Sequence, residues 1–131
     1  MDMLYKLGLE EKEIYEMIER CKDIKDLSEE EIEQKILLLK KLDCNERHIR
    51  NIIVSNPDYL NRTNSDVIKL INKLFILDFE CINILLDSNP YILNKDDFEV
   101  EGYIKNRLEN GEKLEDIVDD LNSNPILFDE M

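Results

Sequence analysis

Apolar residues recur along this chain three and four residues apart, in clusters that are themselves repeated. The three clearest clusters are Ile49, Ile52 and Ile53, then Ile82, Leu85 and Leu86, then Ile117, Val118 and Leu121. This spacing places the apolar side chains on one face of an α-helix. Each cluster is followed by the tripeptide Ser-Asn-Pro, at residues 55–57, 88–90 and 123–125. Separations of 33 and 35 residues between these tripeptides predict a stacked array of helical units.

A weaker copy of the pattern lies at the start of the chain. Residues 7–9 and the apolar positions 14, 17 and 18 match residues 42–44 and positions 49, 52 and 53 at a constant offset of 35 residues. Lys22 stands where the later units have proline, so the turn of this copy has diverged. Terminal repeats are often atypical, because one of their faces meets solvent. We therefore expect an all-α, α-solenoid-like fold of tandem helix-turn-helix repeats, about 33–35 residues per unit, with three clear repeats and one degenerate N-terminal unit in a single domain over residues 1–131.

Each unit is predicted to hold two helices. The first helix is expected at residues 29–42, 65–77 and 98–108, and the second at residues 46–54, 79–87 and 114–121. Ser28 and Glu31 form a capping-box pattern at the start of the first of these helices. Asn64 or Ser65, and Asp96 or Asp97, are predicted to cap the next two.

The Asn-Pro step is predicted to end the second helix of each unit. Proline cannot donate a hydrogen bond to a continuing helix, and it pushes the preceding asparagine out of helical geometry. The asparagine can then cap a short new turn that has proline at its first position. The aromatic and aliphatic residues that follow are expected to fill the seam between consecutive units. A ligand surface made of Ser-Asn-Pro is the alternative, and three matched positions favour the structural role.

The repeat unit resembles those of the mitochondrial transcription termination factor (mTERF) family. Leu4-x-x-Leu7-Gly8-Leu9 carries the Leu-Gly step that precedes the second helix in that family. Residues 56–60 (Asn-Pro-Asp-Tyr-Leu) and 89–93 (Asn-Pro-Tyr-Ile-Leu) carry the proline followed by aliphatics. The resemblance covers most of the chain and implies a curved, right-handed stack of helices. It also implies a basic concave face that holds duplex nucleic acid.

The charge of the chain disfavours that nucleic-acid function. The net charge is −14, from 31 acidic and 17 basic side chains, and such a chain is repelled by phosphate backbones and by anionic membranes. We therefore expect a protein partner, with no nucleic acid and no membrane, and interpret the chain as a non-enzymatic binding or scaffold module. A nucleic-acid-associated factor is the alternative if five basic residues, Arg47, Arg50, Arg62, Lys69 and Lys73, line one face. A second alternative is an acidic inhibitor that mimics nucleic acid.

No catalytic, metal or cofactor site is predicted. Cys44 and His48, the single histidine, lie four residues apart and place two metal ligands on one helical face, but Cys44 aligns with apolar Leu9 and Phe79. It is therefore expected to be a small core residue. Three widely spaced cysteines argue against a disulfide framework. The N-terminus lacks the pattern of a secretory signal, so we expect a cytoplasmic protein. The absence of alanine beside 17 isoleucines indicates an AT-rich genome, as in a low-GC bacterium.

Two groups of residues near the C-terminus are candidates for partner binding. The first is an acidic group consisting of Glu112, Glu115, Asp116, Asp119 and Asp120. Its default interpretation is a solvated helix face, and its functional interpretation is a docking surface for a basic partner. The second is the apolar stretch Ile126, Leu127 and Phe128, which no following unit covers. An uncovered apolar patch there predicts self-association or partner binding.

Overall fold

The computed structural model describes all 131 residues as eight α-helices and four short 3₁₀ helices, in four consecutive units. Each unit has a first helix, a second helix and a 3₁₀ helix. The α-helices are α1 (Asp2–Leu7), α2 (Glu11–Arg20), α3 (Glu29–Lys41), α4 (Glu46–Ser55), α5 (Asn64–Ile76), α6 (Ile82–Ser88), α7 (Asp97–Glu109) and α8 (Leu114–Ser123). The 3₁₀ helices are Lys22–Asp26, Pro57–Asn61, Pro90–Asn94 and Pro125–Glu130. The predicted all-helical repeat fold is confirmed.

The N-terminal unit keeps the turn that its sequence has lost. Cys21 has φ −140° and ψ 88°, close to the φ −134° and ψ 73° of Asn56, and a 3₁₀ helix follows both residues. The backbone of the turn therefore forms without proline. Ile24 is fully buried beneath it, at the position that Tyr59 fills in the next unit.

A left-handed residue ends the first helix of every unit. These four residues are Gly8 (φ 102°), Asp43 (φ 64°), Asp78 (φ 70°) and Gly111 (φ 91°). The amide of the next residue donates to a carbonyl five residues back, as from Leu9 to Leu4 and from Phe79 to Leu74, each at 3.1 Å. This is the Schellman arrangement, in which those two residues frequently make an apolar contact; in the fourth unit they are Arg107 and Glu112, which form an ion pair instead. It turns the chain sharply into the second helix of the same unit.

The third unit is two residues shorter than the others, and this corrects one predicted helix. Asp43 precedes the first core residue of its second helix, Ile49, by six positions, whereas Asp78 precedes Ile82 by four. Helix α6 therefore begins at Ile82, and Phe79 is a buried turn residue instead of the predicted helix start. A second correction concerns α5, which is capped by Thr63 and not by Asn64 or Ser65. The predicted caps Ser28 and Asp96 are confirmed as capping boxes.

The residues that follow the Asn-Pro step are buried. Tyr59 and Ile92 are fully buried at matching positions, and Phe128 is fully buried one position further on. Tyr59 also donates a hydrogen bond of 2.6 Å from its hydroxyl to the carbonyl of Lys35, which lies in the same unit. Phe128 packs on Phe79 of the preceding unit, with ring centroids 5.9 Å apart. The predicted packing between units is therefore observed for Phe128, and the burial of Tyr59 and Ile92 is consistent with it.

The asparagine of Ser-Asn-Pro joins each unit to the next. Nδ2 of Asn56 donates to the Pro90 carbonyl and to Oδ1 of Asn94, each at 3.0 Å. Nδ2 of Asn89 repeats this with the Pro125 carbonyl at 3.0 Å and Oδ1 of Asp129 at 3.1 Å. Only Asn89 also caps its own turn, by accepting from the amide of Tyr91. The main role of the asparagine is thus between units, which its position within one unit does not indicate.

One lysine is buried at the seam between the second and third units. Lys35 is 4% exposed, and its Nζ donates to Oδ1 of Asn64 at 2.6 Å. Burial lowers the pKa of Lys35 from its usual value of 10.5. The third unit has the fully buried Leu70 at the equivalent position. The site therefore accepts an apolar side chain.

Replacing Lys35 by leucine is expected to raise the free energy of unfolding by about 1 kcal/mol at neutral pH, because a buried charge is removed. Since the pKa of Lys35 is lower in the folded state, the wild type gains stability as the pH rises toward 10.5. The difference between the variant and the wild type should therefore shrink at alkaline pH. Urea denaturation across this pH range measures it. Lys69→Leu, at an exposed site, is the matched control and should not raise the free energy of unfolding.

No helix of the structure combines the length and the apolar character needed to cross a lipid bilayer.

Candidate functional site

Two of the five predicted acidic residues are engaged by Arg107. Its Nε donates to Oε2 of Glu112 at 2.8 Å, and its Nη1 donates to Oδ2 of Asp120 at 2.9 Å. The hydrogen bond that Arg107 donates to Glu112 raises the pKa of Arg107, and the same bond lowers the pKa of Glu112. Arg107 also lies over the ring of Tyr103, 5.6 Å from its centroid. Glu112 and Asp120 thus have an internal role.

This ionic cluster occupies positions that are apolar in the other units. By alignment of the repeats, Arg107 replaces Leu74, Glu112 replaces Phe79 and Asp120 replaces Leu85, all three of which are buried. In the third unit Phe79, one of these residues, packs on Phe128 of the following unit. The fourth unit therefore has an ionic cluster where the other units have apolar side chains.

The other acidic residues contribute to a groove between the third and fourth units. Glu115 and Asp119 on α8 face Asp78 and Glu80, which lie in the turn before α6. They line a cavity of about 310 Å³ together with four other residues, Leu77, Leu114, Val118 and Asn122. We call this the acidic groove. None of its four carboxylates accepts a side-chain hydrogen bond or forms an ion pair. Asp116 is exposed on α8 but lies outside the groove.

The groove exists because the fourth unit lacks a polar contact that the other units make. Arg50 donates to the carbonyl of Leu7 in the preceding turn at 3.2 Å, and Asn83 donates to the carbonyl of Asp43 at the same distance. The equivalent residue of α8 is Val118, which has no side-chain donor. Nothing therefore closes the space between α8 and the turn at Asp78. The groove is open to solvent and carries a concentrated negative charge.

The predicted apolar patch at residues 126–128 is largely covered, which corrects that expectation. Phe128 is fully buried and Leu127 is half-buried against the core. Ile126 alone of the three is exposed, to 70%. The 3₁₀ helix turns two of its apolar residues inward onto the third unit, even though no later unit covers it. Any partner contact at this end would use Ile126 and not the whole stretch.

Cys44 and His48 have structural roles. Nδ1 of His48 accepts from the amide of Asn45 at 3.3 Å, and the amide of His48 donates to Oδ1 of Asn45 at 2.8 Å, so this pair caps α4. Cys44 is buried, and burial raises the pKa of its thiol to about 11. Cys21 is buried and Cys81 is exposed; all three thiols are free. The structure groups no three His, Cys, Asp or Glu side chains in a way that could hold a metal ion.

The five basic residues considered for nucleic-acid binding do not form a free strip. Arg62 donates to the carbonyls of Leu93 and Lys95 and pairs with Asp96, all in the next unit. Lys73 pairs with Glu101 at 3.5 Å, and Arg50 holds the preceding turn, as described above. Arg47 on α4 and Lys69 on α5 are exposed and have no ion-pair partner. Three of the five are therefore used to hold units together.

Sequence analysis did not identify Asp78 and Glu80 as site residues. Both lie 35 or more residues before Glu115 and Asp119 in the chain, and only the stacking of units brings the two pairs together. A signal was present, since the aligned repeats show Val118 where Arg50 and Asn83 stand. The missing donor indicates an open seam at that point.

Comparison with known protein families gives a match over most of the chain. No curated protein matches the chain. The sequence model of the mTERF family matches residues 1–119, which includes seven of the eight α-helices entire and part of α8. The match spans the Leu-Gly turn of the first unit and both Asn-Pro steps at residues 56–57 and 89–90. The chain therefore belongs to the mTERF family.

Proposed function

We propose that this protein is a non-enzymatic helical-repeat module that binds a basic segment of a partner protein in the acidic groove. The proposal depends on one observation. Four carboxylates, those of Asp78, Glu80, Glu115 and Asp119, line one cavity that has no lysine or arginine among its lining residues. Other carboxylates near the groove are paired: Glu101 pairs with Lys73 across the same seam, and Asp120 pairs with Arg107 within the fourth unit. A lysine- or arginine-rich segment would supply the missing positive charge.

The shape of the groove fits a chain segment with cationic side chains. Leu77 and Leu114 line it beside the carboxylates, so the aliphatic stems of lysine or arginine find apolar contact there. Asp116, outside the groove on the same helix, extends the negative potential and aids encounter. Ile126, at the end of the same unit, remains a predicted contact with the partner. The proposal places the protein in the cytoplasm, where its three free cysteines stay reduced.

Binding of a lysine-rich peptide tests the proposal. In fluorescence anisotropy, a labelled oligolysine peptide should bind the wild type and lose affinity about tenfold in Glu115→Gln with Asp119→Asn, a loss of about 1.4 kcal/mol. The affinity should fall steeply with salt, because the groove charges are exposed. The matched control is Glu30→Gln with Glu33→Gln, which removes two exposed carboxylates of α3 and the same net charge. Equal losses in both variants would reduce the binding to general charge attraction and overturn the proposal.

Association with nucleic acid is the second candidate function. Membership in the mTERF family supports it, as do four lysines on the first helices, Lys40, Lys41, Lys69 and Lys105, that are exposed and unpaired. Duplex DNA added to the same assay separates the two candidates. Binding of duplex DNA that is insensitive to the groove variant would favour the family function. A third candidate, mimicry of nucleic acid, uses the acidic groove and predicts that the protein displaces DNA from a basic partner.

A further inference from the structure

A second groove, with a different chemistry, lies between the first helices of the third and fourth units. Its cavity has a volume of about 370 Å³ and is bordered by five apolar residues, Ile76, Leu77, Ile104, Leu108 and Leu114. Ile76 is the most exposed large apolar residue of the chain, at 76%. The adjacent Phe75 is 56% exposed. We call this the apolar groove.

Such a groove is unfavourable in water and favours an apolar occupant. Each Å² of apolar surface removed from water contributes about 25 cal/mol. Scattered apolar side chains on a surface are ordinary, but a cavity bordered by several of them together marks an interaction site. The ionic cluster of Arg107, Glu112 and Asp120 accounts for part of this exposure. Glu112 replaces the buried apolar residue that follows the turn in the other units, and Leu114, two residues later, is exposed at the groove.

The charges at the apolar groove are basic, in contrast to those of the acidic groove. Lys73 and Lys105 line it, and Lys69 lies one turn before Lys73 on α5. Lys105 and Lys69 have no ion-pair partner, while Lys73 pairs with Glu101, the single carboxylate of the lining. In a chain of net charge −14, this is a local excess of positive charge beside apolar surface. The complementary ligand has apolar residues on one face and carboxylates beside them.

An acidic amphipathic helix fits these features better than nucleic acid does. Helices that bind grooves insert apolar residues spaced at i, i+3 or i+4 and i+7, and Ile76, Leu108 and Leu114 line the groove as apolar contacts for such residues. Sequence reading of nucleic acid needs hydrogen-bonding side chains directed at base edges, and single-strand binding needs stacked aromatic rings. The lining of the apolar groove contains no aromatic ring and no arginine, asparagine or glutamine. Its lysines are placed to pair with glutamate or aspartate at the edges of a docked helix.

We propose that the apolar groove between α5 and α7 docks an acidic amphipathic helix of a partner protein, with its apolar face on Ile76, Leu108 and Leu114 and a carboxylate on the unpaired Lys105. The site adjoins the acidic groove, with which it shares Leu77 and Leu114, but the charged residues that line the two grooves are different. Together the two grooves make the protein an adaptor that holds a basic segment on its second helices and an acidic helix on its first helices.

A pair of synthetic peptides tests this proposal. The first is an amphipathic helix of about 18 residues with leucines at groove-binding spacing and glutamates on the flanks, and the second has lysines in place of the glutamates. At about 0.15 M salt, the glutamate peptide should bind the wild type and weaken about tenfold in Ile76→Asp and in Lys105→Glu. Both side chains are exposed, so neither change disturbs the core, and circular dichroism checks the fold. Ile126→Asp, at a similarly exposed site, is the control and should bind like the wild type.

Several outcomes would overturn the proposal. One is a failure of the glutamate peptide to bind, and another is binding that Ile76→Asp leaves unchanged. Duplex or single-stranded DNA that binds and is lost in Lys105→Glu would assign the surface to nucleic acid instead. Self-association in sedimentation that Ile76→Asp abolishes would assign it to a second copy of the chain. The groove variant Glu115→Gln with Asp119→Asn should retain the glutamate peptide, so the fates of the two proposals can be told apart.

Discussion

Replacement of Tyr59 by alanine is expected to lower the free energy of unfolding by about 4 kcal/mol, because the change empties a large, fully buried volume at the central seam. Part of the loss belongs to the hydroxyl, which donates to the Lys35 carbonyl at 2.6 Å. Burial raises the pKa of Tyr59, so this donor stays protonated throughout the ordinary pH range. Tyr59→Phe should therefore cost about 1–2 kcal/mol by itself. Urea denaturation with an unchanged m-value measures both losses.

Tyr91 provides the control for this experiment. It also follows an Asn-Pro step, but one position earlier than Tyr59, and its side chain is half-exposed. Tyr91→Ala should change the free energy of unfolding by less than about 1 kcal/mol. Similar losses in Tyr59→Ala and Tyr91→Ala would mean that the stability of the stack does not depend on the burial of Tyr59.

The repeat architecture could be predicted because its determinants are local. Proline at residues 57, 90 and 125 ends a helix whatever surrounds it, and the apolar clusters before it show helical spacing directly. The capping box of Ser28 and Glu31 is also contained within four residues. The predicted start of α6 was wrong because the link between Asp78 and Ile82 is two residues shorter than the equivalent link in the other units. The apolar pattern alone does not show where a shortened link becomes helical.

The candidate site was only partly predictable, because its members come from different units. The sequence identified Glu115 and Asp119 as members of an acidic group, but it could not separate them from Glu112 and Asp120, which Arg107 engages. The distinction depends in part on the contact between Arg107 and Asp120, which are 13 residues apart in the chain and meet only when α7 packs on α8. The burial of Phe128 was also missed. Its partner Phe79 lies in the preceding unit, 49 residues earlier in the chain.

The pairing between units also explains how an acidic chain keeps the fold of its family. Arg62, Lys73 and Lys95 each reach forward to the next unit, where they meet carbonyl or carboxylate oxygens. Much of the positive charge is thus used inside the stack. The carboxylates on the second helices and their turns remain in solvent and dominate the outer potential. Net charge therefore indicates what the surface attracts, while the seams determine which cations are free to bind a ligand.

The asparagine of the repeated tripeptide should contribute to stability only where another unit follows it. Asn56→Ala is expected to lower the free energy of unfolding by about 2 kcal/mol, because it removes two hydrogen bonds and leaves the carbonyl of Pro90 without its donor. Asn56 is 1% exposed, so water cannot replace the lost amide without local opening. Thermal and urea denaturation of the purified variant measure the effect.

Asn124 is the matched control, because it occupies the same place in the same tripeptide. Its Nδ2 donates only to Asp120 within its own unit, at 3.0 Å to Oδ1, and the residue is exposed. Asn124→Ala should therefore cost less than about 0.5 kcal/mol. Equal losses in the two variants would show that the asparagine acts within its own turn, as a cap before proline. A loss of stability in Asn56→Ala alone would show that the asparagine of the tripeptide stabilises the contact between consecutive units.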